Sequence, residues 1–174
     1  MFKTIAGTAR LLPAEINTDV HCSAKYVPGK DSAYVAQHAF EQIDPGFVGR
    51  FRRGDIIVAG RNFGINSSRE QAIEVMRLMG VAAVITPAFG RQFFRNAINN
   101  GLPVVECDIA GIEENDAIEI DLDAGTVAVP GRGLERRSSP LPEAIQSLLE
   151  AGGLIPFLKL HPDWNLEHSS GVNP

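Results

Sequence analysis

Twelve residues, Gly60-Arg61-Asn62-Phe63-Gly64-Ile65-Asn66-Ser67-Ser68-Arg69-Glu70-Gln71, constrain this chain more than any other stretch. They begin where a short apolar run, Ile56-Ile57-Val58-Ala59, ends, and they lead into a segment with Ala72, Val75, Met76 and Met79 at i, i+3, i+4 and i+7. An apolar run bounded by Gly54-Asp55 and Gly60 suits a buried strand, and the following spacing gives one apolar helix face closed by Gly80. A glycine loop between the two puts a helix start at the carboxyl end of a strand, where open α/β sheets bind ligands. The first turn of a helix carries unpaired N–H groups and the positive end of the dipole, so it attracts anions. Arg69 opposes that dipole unless an anion is also present, so two serines and an arginine there point to a carboxylate or phosphate site. A capping box is the other reading, formed by Ser67 with Glu70 or Ser68 with Gln71 and contributing about 0.5–2 kcal/mol. It leaves the second hydroxyl, Arg69 and the Gly60/Gly64 bracket without a purpose.

The rest of the chain extends the same pattern. Lys3 to Leu12 reads as a strand, Pro13 to Val27 as a polar loop centred on Asn17-Thr18-Asp19, and Ser32 to Gln42 as a short helix with Ala33, Ala36 and Phe40 inward. Val81 to Thr86 and Pro103 to Val105 read as further buried strands, separated by a helix from Phe89 to Asn100 that Gly101 stops. Ala117 to Leu122 alternates with period two, Asp123-Ala124-Gly125 turns, and Thr126 to Val129 returns as a hairpin. A last helix runs from Pro142 to Glu150, and Leu154 to Leu160 reads as a short strand. The prediction is an α/β domain over residues 1–160, with parallel crossover units at its centre and antiparallel strands after them, followed by a polar tail at 161–174. His161 and His168 in that tail are expected at the surface.

Charge and cysteine usage exclude several classes. A net charge of −5 argues against general nucleic-acid binding. The local clusters Arg50/Arg52/Arg53 and Arg132/Arg136/Arg137 are expected to be solvated, the latter in a late loop. Cys22 and Cys107 lie far apart with no metal-ligand spacing, so no metal or iron–sulfur cluster is expected on this chain and both thiols are expected to be reduced. No signal-peptide core and no run of about 18 apolar residues occurs, which sets the expectation of a cytoplasmic protein without a membrane partner.

The motif around Asn62-Phe63-Gly64 and Ser67-Ser68-Arg69-Glu70 resembles the signature of the small, swivelling β/β/α domain of the aconitase superfamily. It is most similar to the small subunits of 3-isopropylmalate dehydratases and their relatives. Asn17-Thr18-Asp19, Pro45 to Gly60, Ala88 to Leu102 and Glu150-Ala151-Gly152-Gly153-Leu154 agree in the same order. The resemblance implies a hydro-lyase that isomerises a malate-type hydroxy acid by dehydration and rehydration, active only with a large subunit carrying a [4Fe–4S] cluster. By the family's pattern Ser67 is the catalytic base, while Ser68, Arg69, Lys25 and Tyr26 bind a di- or tricarboxylate substrate. Two segments depart from the pattern: Ile65-Asn66 replaces a small residue and glycine, and Gln71 replaces histidine. Asparagine tolerates left-handed backbone, so the turn is expected to survive. The alternatives left open are a sibling substrate, as in a homoaconitase or a methylmalate/dimethylmalate-type dehydratase small subunit, and a non-catalytic carboxylate-binding regulatory module.

Overall fold

The long first strand, β1 (Ile5–Leu12), changes partners halfway along. Ile5 to Thr8 pair antiparallel with β5 (Ala117–Asp121), whereas Ala9 to Leu12 pair parallel with β2 (Ile56–Ala59). Around it a computed structural model, describing residues 4–22, 28–66 and 69–162, builds one seven-stranded sheet. On the parallel side β2 is followed by β3 (Ala83–Thr86) and β4 (Val104–Glu106). On the antiparallel side β5 is followed by β6 (Thr126–Val129) and β7 (Leu134–Arg137).

Burial follows from this division. All four residues of β2 and all four of β3 are buried, as expected for parallel strands covered on both faces. In β5 only Ile118 and Ile120 turn inward, while Ala117 and Glu119 face solvent. The crossover helices are α4 (Gln71–Met79), which buries Ala72, Ile73, Val75 and Met76, and α5 (Arg91–Asn99), which buries Phe93, Ala97 and Ile98. Because β1 to β4 run parallel, the loops at their carboxyl ends gather along one edge of the sheet.

A buried ionic cluster holds the seam where β1 switches partner. The Arg10 side chain donates from Nε to Asp55 Oδ2 (2.5 Å) and from Nη1 to Asn115 Oδ1 (2.5 Å) and Glu114 Oε1 (3.3 Å). Glu114 also accepts the Leu11 N–H (2.7 Å) and Arg50 Nε (2.9 Å), and Arg50 reaches Asp44 as well. Removing Asp55 leaves Arg10, a residue only 8 % exposed, short of one partner. Asp55→Ala is expected to cost about 2–3 kcal/mol in a urea melt, less than the loss of a sole partner because Glu114 and Asn115 remain. A loss under about 0.5 kcal/mol would show that the cluster is not stabilising. Burial pushes the Glu114 carboxyl upward, but the Leu11 N–H, Arg50 and Arg10 outweigh it and hold its pKa low; the Arg50 hydrogen bond does the same for Asp44. Groups with lowered folded pKa values stabilise above their unfolded pKa and lose that contribution as pH falls through the folded value. Stability is therefore expected to fall on acidification below the ordinary carboxylate range, and less so in Glu114→Gln.

Several segments differ from the sequence expectation. The loop after β1 contains one helical turn, α1 (Thr18–His21), capped by Asn17, whose Oδ1 accepts the Asp19 N–H (3.1 Å). The next helix, α2 (Ser32–Ala36), is shorter than predicted, and Phe40 beyond it adopts φ +63°. Its inward residues are Ser32 and Val35, with Ala39 and Phe40 after it, while Ala33 is exposed. A further short helix, α3 (Phe47–Arg50), follows the Pro45-Gly46 break. The helix expected from Ser67 begins at Gln71, its first bonds running from the Ile73 and Glu74 N–H groups to the Glu70 carbonyl. Arg136 and Arg137 lie on β7, not in a loop. Arg52, Arg53, Arg132 and Arg137 are exposed as expected, but Arg132 also pairs with Glu113 and Asp116, and Arg50 with Asp44 and Glu114.

Beyond α6 (Glu143–Glu150), Leu154 to Leu160 is a helix, α7, and not a strand. Pro156 falls in its first turn, where a missing N–H costs no bond, and Phe157 is its buried anchor. His161 stacks on Phe157 with ring centroids 4.6 Å apart. His168 lies outside the described residues. Cys22 and Cys107 are both free and buried.

Candidate active site

The site is built where the loops at the carboxyl edge are stitched to one another. The Gly64 and Ile65 N–H groups both donate to the Ile16 carbonyl, at 2.8 and 3.2 Å. The Glu15 N–H donates to the Arg61 carbonyl (2.9 Å), and the Asn62 and Phe63 N–H groups both donate to that of Ala88. The Gly90 N–H returns to Phe63 (2.8 Å), and Thr86 Oγ1 donates to the Gly60 carbonyl (2.7 Å). Phe63 is fully buried, with Phe93 and Phe89 edge-on at 5.1 and 6.3 Å between centroids, and it pegs the loop to the sheet.

Two features make the tight course possible. Gly64 has φ +77°, and a Cβ on it would lie 2.3 Å from Cγ of Phe93. Asn66 has φ +54°, so the residue that departs from the family's glycine does take the left-handed turn.

Arg69 is the predicted site residue that the structure describes. It lies immediately before the helix rather than within its first turn, so it does not oppose the α4 dipole from inside the helix. Its Nε is 3.6 Å from Asp19 Oδ2, with the Arg69 side chain 50 % exposed and that of Asp19 11 %. At that length the pair orients the guanidinium without engaging all its donors, and five N–H groups in a planar fork suit a carboxylate. The sequence reading assigns Asp19 no role, although it sits in one of the segments that match the family. That coincidence of an acid in a matched loop was the available signal. Ser67, Ser68, Lys25 and Tyr26 lie outside the described residues. Alongside these loops Phe89, Arg91, Phe94, Arg95 and Glu106 line an open depression at the ends of β3 and β4.

Metal-binding chemistry is not assembled among the described residues, where no three His, Cys, Asp or Glu side chains converge. Burial pushes the Cys22 thiol far up, and Cys107 is pushed up to about 11 by burial, with Asp108 adding and Arg136 opposing. Neither is a ready thiolate. No helix among the described residues is long and apolar enough to cross a membrane.

Comparison with known proteins places this geometry. The family described as the aconitase C-terminal domain matches residues 23–108. The 3-isopropylmalate dehydratase small subunit of Caldicellulosiruptor saccharolyticus is 45 % identical over 155 residues, covering 88 % of this chain and 90 % of the relative. The chain belongs to the 3-isopropylmalate dehydratase small-subunit family. Small subunit 2 of the same enzyme from Archaeoglobus fulgidus is 41 % identical over 160 residues, covering 91 % and 97 % of the two chains. The crystal structure of 3-isopropylmalate dehydratase from Methanocaldococcus jannaschii superposes with a TM-score of 0.83 at 34 % identity, covering 91 % of this chain and 95 % of that one. The α/β fold with its curled seven-stranded sheet is thus that of the family's small domain.

Proposed function

We propose that this chain is the small subunit of a 3-isopropylmalate dehydratase, a hydro-lyase that works with a large subunit. The observation that carries this reading is 41 % or more identity to such small subunits along most of the chain. The stitched loop that sets Arg69 against Asp19 at the carboxyl edge supports it. In this reading the substrate is a small hydroxy dicarboxylate and the setting is the cytoplasm, with no nucleic-acid or membrane partner.

The reaction removes a proton from a carbon α to a carboxylate, expels hydroxide to give an unsaturated acid, and adds water back in the opposite sense. Ser67 takes the proton as an alkoxide. A [4Fe–4S] cluster held by the large subunit would supply a Lewis acid for the departing hydroxyl. Arg69 grips a substrate carboxylate through two parallel charge-assisted hydrogen bonds, oriented by Asp19. Ser68 donates to the same carboxylate, and Lys25 and Tyr26 recognise the remainder of the substrate. The Asn66 turn is compatible with the catalytic reading, because the loop that carries this departure from glycine stays bonded to Ile16.

Mixed with its cluster-loaded large subunit, the chain is expected to generate unsaturated-acid absorbance from 3-isopropylmalate. Preference for a longer or shorter malate in a substrate panel would reassign it to a sibling enzyme. Arg69→Lys, which keeps the charge but loses the fork, is expected to raise KM about ten-fold or more in steady-state kinetics. An unchanged KM would remove Arg69 from the clamp.

A further inference from the structure

Three contacts pin the first turn of α4 to neighbouring helices. Ser32 Oγ, at the start of α2 and only 9 % exposed, donates to Glu74 Oε2 at 2.7 Å. The same oxygen accepts from Gln71 Nε2 at 3.4 Å. The Cys22 thiol at the end of α1 lies 3.7 Å from the Ala72 carbonyl. Arg69 therefore emerges from a helix start that is tied to both α1 and α2, while its guanidinium leans on Asp19 of α1. The N-terminal end of α2 is itself fixed: Asp31 Oδ1 accepts the Tyr34 N–H (2.9 Å), and Lys30 Nζ sits 4.7 Å from the Tyr34 ring centre.

The apolar packing here comes from Val35, Ala72, Val75 and Met76, and the polar tie is additional to it. A buried hydroxyl with two polar partners on another helix gives direction as well as strength, each such bond contributing only modestly to net stability. A carboxylate clamp needs direction, because a guanidinium fork displaced by an ångström loses one of its two bonds. We propose that Ser32 is a positioning residue for the reaction, holding the first turn of α4 so that Arg69 meets the substrate carboxylate. Gln71, the departure from the family's histidine, is the second arm of this tie. The inference rests on the reading of Arg69 as the carboxylate clamp.

The test uses the reconstituted holoenzyme with 3-isopropylmalate. Ser32→Ala is expected to raise KM about five-fold with kcat within about two-fold, and Ser32→Thr, which keeps the hydroxyl, to restore KM. In an Arg69→Lys background Ser32→Ala should add less than about two-fold, because the group it positions has already lost its fork. A KM unmoved by Ser32→Ala, or the full rise persisting in the Arg69→Lys background, overturns the inference. Amide hydrogen exchange over residues 71–76 gives a second reading, independent of turnover. Exchange there should quicken in Ser32→Ala and not in Ser32→Thr, and unchanged exchange also overturns it. Failure of the wild-type holoenzyme to convert 3-isopropylmalate would instead overturn the functional reading, leaving the exchange arm to decide on the tie.

Discussion

Ser67→Ala is expected to lower kcat by about a thousand-fold while the chain still assembles with its large subunit. General bases contribute roughly 10²–10⁴ in rate, which sets the size of the expected loss. A serine hydroxyl is a feeble base at neutral pH, so the account requires its anion to be stabilised. The helical bonds of α4 begin at Glu70 and a helix dipole fades within a turn, so that stabilisation does not rest on the dipole. Local N–H donors and the Arg69 guanidinium must then carry it, in the manner of an oxyanion hole. Steady-state kinetics with size-exclusion chromatography of the complex reads both quantities. Near-wild-type turnover would strike Ser67 from the role of base.

Gly64→Val is expected to destabilise the chain by roughly 3–5 kcal/mol and to abolish activity with it. Two costs add. The residue must hold φ +77°, which a β-branched side chain adopts at a cost of about 1–3 kcal/mol. A Cβ would also stand 2.3 Å from the Phe93 ring, which is itself 1 % exposed and has nowhere to retreat. Overpacking of that kind costs about 1–3 kcal/mol. The loop can escape only by giving up the paired bonds to Ile16, and with them the placement of the segment that leads to Arg69. Thermal and chemical melts check the magnitude. A variant with wild-type stability would mean that the loop has another conformation of equal energy.

The sequence carried the parallel half of the fold well, because Ile56–Ala59 and Ala83–Ile85 are uninterrupted apolar runs beside helices that Gly80, Gly90 and Gly101 bound, and that pattern has few other solutions. It misread Leu154–Leu160 because a seven-residue segment apolar except for Lys159 shows no clear period. Pro156, harmless at a helix start and awkward in a strand, was the residue that distinguished the two. It missed α1 because four residues are too few for a periodicity, though Asn17 two residues before Asp19 is a local capping signal. β7 was hidden by its arginines, of which Arg136 reaches the Ala110 carbonyl and Asp108, contacts that form only in three dimensions. At the site, Arg69 was legible from type and place. Its partner Asp19, fifty residues away, depends on how β1 and β2 end side by side.

A structure of the holoenzyme with a malate-type inhibitor tests the central claim most directly. The account predicts both arms of the Arg69 fork on one inhibitor carboxylate, with Ser67 Oγ about 3 Å from the carbon that gives up its proton. A carboxylate bound elsewhere, with Ser67 facing away from that carbon, would contradict it.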